Sequence, residues 1–421
     1  MSSPPFAQHV LCSNKLALYN APRPYGPQKI LPTYRIALYT EISTMAKTSL
    51  ASAIAVNDKW SKARPLTAVF VGATSGIGEY AIRSLAAHYG KSTQGLCLFL
   101  VGRTKTAASA ILSDCRKLCP SGEFHFVQAS DLSLIRDVDV ACEETKKLVG
   151  ESSASKGAVA CIDLLVMSHA DFHIGGRRGM LSPEMILSVI AYHVDRAETS
   201  EGLDKTMSML YYSRMRFTTN LLPLMRSSEA AHVISVFGAG LEQMKDWDEN
   251  DMSFRNAKRY NMSRARTHVI VMKTLSMEKL AAQNIGKVSF VHVYPGLVIT
   301  PAFGNQDLPT WFRAVWTVAK PFVKYAIAIS PEEIGERILY LSSSALPPKD
   351  FHAHAGDKLI KLAMSTDGVI GGGAYACKHD AETIDVQAKY KSLRASKVDE
   401  KVWEHTLSVF SQIQENGVFK G

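Results

Sequence analysis

"VFVGATSGIGEYA" spans Val69–Ala81, and its reading decides the fold. Three glycines fall as Gly72-xxx-Gly76-x-Gly78, directly after "TAVFVGA" (67–73). That run is apolar and β-branched, too short for a helix and suited to a buried strand. Behind the glycines, "IGEYAIRSLAAHYG" (77–90) sets Ile77, Ala81, Leu85 and Ala86 on one helical face and stops at Gly90. A glycine turn between strand and helix is the setting of a dinucleotide-binding motif. Gly72 permits the tight turn, Gly76 lets backbone N–H groups approach a pyrophosphate, and Gly78 lets the helix pack close to the sheet. Thr74 and Ser75 add hydroxyls to the loop, and Ile77 opens the helix whose N-terminus faces the negative charge.

Strands and helices continue to alternate outward from this turn. "GLCLFLVGR" (95–103), "EFHFVQASD" (123–131), "IDLLVMSHA" (162–170), "AHVISVFG" (231–238) and "KVSFVHVYPG" (287–296) read as strands. Helices are expected near 106–118, 133–149, 202–226 and 260–283, and from Ser330-Pro331-Glu332-Glu333, which carries a capping serine, an N1 proline and first-turn acids. Fully apolar strands in such alternation imply a parallel sheet covered on both faces. The expected fold is α/β, a single doubly wound domain over residues 45–421, preceded by an extension over 1–44.

That extension carries six prolines and no periodicity. It reads as disordered or as a mis-assigned start ahead of Met45, with a transit peptide as the alternative. The net charge of +9 is unevenly spread, since residues 1–60 hold six Lys/Arg against two acids. No run of like charge appears elsewhere, so nucleic-acid binding is not suggested. Seven scattered cysteines without a CxxC pair read as reduced, buried thiols of a cytoplasmic protein, with no metal site. No run of 18 apolar residues exists, so no membrane span is expected.

The end of the second strand discriminates between cofactors, because an acid there would bind the ribose 2′-OH and an arginine a 2′-phosphate. "LVGRTK" offers Arg103, with Lys105 close behind, which favours NADP(H).

The glycine spacing resembles the short-chain dehydrogenase/reductase family, whose fold is a single Rossmann domain binding NAD(H) or NADP(H). Asp131-Leu132 matches the family's adenine-contacting stretch, although Asp131 reads equally as a helix cap. Pro295-Gly296 with Thr300 ("YPGLVITPA") matches the family's turn beside the nicotinamide. "MSHA" stands where the family has "NNAG", so Ser168 and His169 would face the cofactor or substrate. Stretches such as "TSEGLDKTMSMLYYSRMRFTTNLLPLM", "STDGVIGGGAY" and "KVWEHTLSVF" resemble a divergent fungal subgroup associated with secondary metabolism, over roughly residues 45–416.

The resemblance also implies a catalytic set. "ISVFG" resembles the family's "SSxxG" and assigns Ser235 to the substrate oxygen. "YNMSR" resembles "YSASK" and assigns Tyr260 as acid/base, with Arg264 in place of the usual lysine. Spacing of four on a helix would keep Tyr260 and Arg264 on one face. The family's helix asparagine falls at Leu210, beside Tyr211 and Tyr212. If Tyr260 fails as donor, Tyr212 and His169 are the alternatives. "LPTWFRAVWTVAKPFVKYAIAI" (308–329) would line an apolar substrate pocket, complete the core, or lie on a membrane surface. The family commonly dimerises through two long helices, here about 202–226 and 260–283. Two functions stay open: an NADP(H)-dependent oxidoreductase acting on a small apolar carbonyl or alcohol, and a non-catalytic NADP(H) binder.

Overall fold

Alternate residues along a strand point to opposite faces of a sheet, so a strand apolar at every position needs cover on both sides. The computed structural model, which describes residues 48–170, 197–301, 316–317, 320, 328–351 and 361–421, meets that demand. Strands β1 (Leu66–Val71), β2 (Leu96–Gly102), β3 (Glu123–Gln128), β4 (Leu164–Met167), β5 (Ala231–Val236), β6 (Val288–Val293) and β7 (Ala374–Cys377) form one parallel sheet. Their order is β3-β2-β1-β4-β5-β6-β7. The chain winds outward from β1 in one direction and from β4 in the other, so the β1/β4 boundary is the switch point of a Rossmann-type fold.

Ala68, Phe70, Leu98, Leu100, Val166 and Ile234 face one side. There they meet helices α2 (Ile77–Tyr89), α3 (Lys105–Leu118) and α7 (Pro331–Tyr340). Val69, Val71, Phe99, Val101, Met167 and Val233 face the other. Those meet α4 (Ile135–Ser155), α5 (Ser213–Arg226) and α6 (Met262–Gln283). Helix α7 begins as expected, with Ser330 Oγ accepting from Glu333 N at 3.1 Å and Pro331 at the first helical position.

The elements depart from the sequence expectation where local pattern is weakest. The helix expected over 202–226 starts at Lys205 and contains a π-helical turn, Ser208–Tyr212, before α5. The helix expected from residue 260 starts at Met262, because Asn261 caps it, accepting from Arg264 N at 2.9 Å. Strand β7 and helices α1 (Leu50–Ala63), α8 (Gln387–Ala395) and α9 (Val398–Asn416) add to the expected elements. The extension over 1–44 and most of the apolar stretch 308–329 lie outside the described residues, although Trp316 is buried. No helix among the described residues is long and apolar enough to cross a membrane.

Helices α8 and α9 cover the faces of α5 and α6. The Tyr211 hydroxyl pairs with Ser276 of α6 at 2.7 Å and with Thr406 of α9 at 2.6 Å. Arg216 lies over the Phe410 ring at 5.1 Å, and Arg394 of α8 pairs with Glu278 of α6 at 2.7 Å. Parts of the two helices through which the resemblance implied dimerisation thus pack against α8 and α9.

On the opposite face, His88 of α2 joins α1 and α7: its Nδ1 lies 2.7 Å from Asp58 Oδ1 and its Nε2 2.8 Å from Glu336 Oε2. Burial opposes the charged imidazole, but hydrogen bonds to Glu336 and Asp58 outweigh it and raise the His88 pKa. A raised folded-state pKa adds stability that is complete below the unfolded value, about 6.5, and is lost as pH rises through the folded value. His88→Gln is expected to cost about 1–3 kcal/mol at pH 6. Its deficit against wild type should shrink toward pH 9 in thermal unfolding; a deficit that grows with pH would reverse the assignment.

Candidate functional site

In an open parallel sheet the carboxyl ends of the strands diverge at the switch point and leave a crevice. Here a cleft opens at that point. It is lined by Gly72, Thr74, Ser75, Gly76 and Ile77 after β1, Gly102 and Arg103 at the end of β2, and Leu132 after β3. Ser168, His169 and Ala170 after β4, Met209 of the π turn, and Thr300 after β6 complete it. Most of the residues singled out for a cofactor are therefore brought together.

The glycines are there for backbone reasons. Gly72 and Gly76 have φ of +76° and +66°, the left-handed region that side chains disfavour. A Cβ on Gly72 would run into the His169 backbone, and one on Gly76 would come within 3.0 Å of Thr300 Cγ2. Gly78 is not in the cleft; a Cβ there would collide with Ser168 Oγ and Ala73, so it sets the approach of α2 to the sheet. Gly76 stands at the N-cap of α2 and offers no side-chain cap, so the first-turn N–H groups face the cleft without one. Backbone donors, a helix N-terminus and exposed Arg103 make a cradle that fits the phosphates of a dinucleotide.

Three other residues stand beside the cleft rather than in it. Asp131 Oδ1 accepts from Ser133 N at 2.8 Å and from Ser133 Oγ at 2.7 Å, a local turn ahead of α4, whose N-cap is Leu134. Pro295 and Gly296 follow β6; Gly296 has φ of +72°, and a Cβ there would come within 2.6 Å of Ile329 Cδ1.

The expected catalytic residues are arranged differently from the pattern that suggested them. Ser235 lies at the end of β5, in register with Met167 of β4 and His292 of β6, and it is fully buried. Tyr260 precedes α6 in extended backbone (φ −69°, ψ 124°), so it shares no helical face with Arg264. Its half-buried ring packs 4.9 Å from the Phe254 ring. Tyr212 donates to or accepts from His405 Nε2 of α9 at 2.8 Å, deep in the helix packing.

The strongest feature of the site is one that motif matching does not single out. Arg214, the second residue of α5, is completely buried. Its Nη1 donates to Ser235 Oγ and to Val236 O, both at 2.8 Å, and its Nη2 donates to His169 O at 2.6 Å. No carboxylate among the described residues pairs with it. Buried Lys273 of α6 points its Nζ over the Phe237 ring at 5.1 Å. Burial, then Arg214, pushes Lys273 well below the usual lysine range. His292 is pushed down by burial, then Lys273 and Arg214; His169 by burial, then Arg214 and Lys273. Burial lowers Arg214 itself to about 9. A signal was present in "YYSRMRF", where two arginines, Arg214 and Arg216, interrupt the core residues Tyr211, Tyr212, Met215 and Phe217, and only Arg216 finds an acid, Asp139, among the described residues.

No family model matches the chain. Among solved structures, the reductase/Diels–Alderase MalC of Malbranchea aurantiaca is similar at 17% identity and a TM-score of 0.45, over 68% of this chain and 92% of that one. Among curated relatives, the oxidoreductase andH of Emericella variicolor is 31% identical over 355 residues, 83% of this chain and 92% of its own. The short-chain dehydrogenase/reductase SAT2 of Stachybotrys chartarum is 34% identical over 350 residues, 83% of this chain and 92% of its own. Identity at that level, sustained across nearly the whole of a named relative, agrees with the parallel sheet and its glycine turn: the chain belongs to the short-chain dehydrogenase/reductase family.

Proposed function

We propose that the protein is an NADP(H)-dependent oxidoreductase that interconverts a carbonyl and an alcohol on a small apolar molecule of the secondary-metabolite kind. The observation that carries this reading is the glycine-walled cleft at the switch point, with Arg103 at the end of β2. Backbone N–H groups at Gly76 and the start of α2 would hold the pyrophosphate, and Ser168 and Thr300 would border the nicotinamide end. Arg103 would grip the 2′-phosphate with a planar pair of donors. When bound, NADP(H) supplies or takes up hydride.

The chain's own residues do the remainder. Ser235 would donate a hydrogen bond to the substrate oxygen, and Tyr260 would give that oxygen its proton in reduction or take it in oxidation. Arg264, four residues on, would supply a positive neighbour favouring the phenolate. A second reading, an NADP(H) binder without turnover, draws on one observation: Tyr260 lies off the helix with its ring against Phe254. The two readings bind cofactor alike and part at turnover.

Two variants test the reading. Arg103→Ala is expected to raise KM for NADPH about tenfold while leaving NADH nearly unaffected, as fits loss of charged hydrogen bonds. Equal effects on both cofactors would remove the 2′-phosphate assignment. Tyr260→Phe should lower the rate of NADPH oxidation on a panel of aryl and alkyl ketones and aldehydes by about 100-fold or more. A wild type that binds NADPH and reduces none of the panel supports the binder; an active Tyr260→Phe moves the proton to another group.

A further inference from the structure

A guanidinium buried with no acid beside it among the described residues is costly, and one partner it has here is the hydroxyl assigned to the substrate oxygen. Arg214 spends Nη1 on Ser235 Oγ and Val236 O and Nη2 on His169 O, so it clamps the ends of β4 and β5 where the cleft opens. Among the described residues its Nε has no hydrogen-bond partner, nor does Lys273 Nζ, nor does either ring nitrogen of His292. A purely structural clamp would be served as well by an uncharged amide or by an arginine paired to a carboxylate. Of its three partners two are main-chain carbonyls, and the one side-chain hydroxyl it reaches is that of Ser235.

We propose that Arg214 is a positioning residue for carbonyl reduction: by donating to Ser235 Oγ it turns the serine O–H toward the substrate oxygen and makes that O–H a stronger donor. The inference rests on the oxidoreductase reading above. A serine oxygen that accepts from a cation has its lone pair engaged, so its hydrogen is left to point elsewhere, and the bond polarises the O–H. In reduction, hydride adds to the carbonyl carbon, the C=O π pair moves onto oxygen, and that oxygen takes a proton from the tyrosine hydroxyl. The carbonyl is reduced, the nicotinamide is oxidised, and Ser235 keeps its proton throughout. Negative charge develops on the oxygen only in the transition state, so a fixed cation behind its donor acts on turnover rather than on ground-state binding. His169 joins both ends of this device, because it lines the cleft while its carbonyl accepts from Arg214.

The test compares Arg214→Met, which keeps length and removes charge, with Arg214→Lys, which keeps charge. Each is assayed for kcat and KM on a reducible carbonyl, for NADPH binding by fluorescence, and for its thermal midpoint. Arg214→Met should lower kcat about 100-fold, with KM and NADPH affinity within about threefold of wild type. Arg214→Lys should recover at least about tenfold of that loss. A kcat for Arg214→Met within about threefold of wild type overturns the proposal. So do equal losses in both variants accompanied by loss of NADPH binding, which would make Arg214 a strut. Should Arg214→Met fail to fold, Arg214→Lys in a Ser235→Ala background decides: no further effect is expected, and an additive loss overturns the proposal. A wild type that binds NADPH yet reduces nothing defeats the oxidoreductase reading itself, an outcome distinct from an active wild type indifferent to residue 214.

Discussion

The guanidinium of Arg214 is the interaction on which the arrangement of the cleft depends. Isolated charges are excluded from protein interiors because hydration lost on burial must be replaced. Here it is replaced by two main-chain carbonyls and a hydroxyl at the ends of β4 and β5, the strands that lead into the cleft. Neighbouring basic groups feel it: burial together with Arg214 holds Lys273 below the usual lysine range, and burial with Arg214 and Lys273 acts in the same direction on His169 and His292. Such a distribution costs stability in a core, and perturbed basic groups of this sort gather at functional sites more often than elsewhere.

The proposed cofactor half of the site is legible in the amino-acid sequence because its constraints are local. A tight turn with positive φ, and a helix start close under a phosphate, select glycine at particular offsets whatever the rest of the chain does. Gly72 and Gly76 therefore announce themselves by spacing, and the apolar strand and amphipathic helix on either side supply their context. The proposed catalytic half depends on which residues of distant helices meet, and spacing is a poor guide to that. The π turn at Ser208–Tyr212 inserts a residue into the helical count, so the position matched to an asparagine, Leu210, is packed in the core. A buried polar side chain that reaches Ser235 comes instead from Arg214, one turn later.

The same limit explains Tyr260 and Arg264. Four residues apart is one face of a helix only if both residues are helical, and Asn261, a strong capping residue, starts α6 after the tyrosine. Strand β7 escapes pattern reading for another reason: it has four residues, Ala374–Cys377, and follows a glycine run that reads as a turn. Its place at the edge beside β6 comes from the sheet, which offers an unpaired row of backbone groups to whatever extended segment follows.

The C-terminal helix α9 reaches further into the molecule than its position suggests. Thr406 and His405 hold the hydroxyls of Tyr211 and Tyr212, the residues that end the π turn immediately before Ser213 and Arg214. The seat of the arginine is thus built partly from α9, and loosening that helix would loosen the start of α5 without touching a residue that lines the cleft.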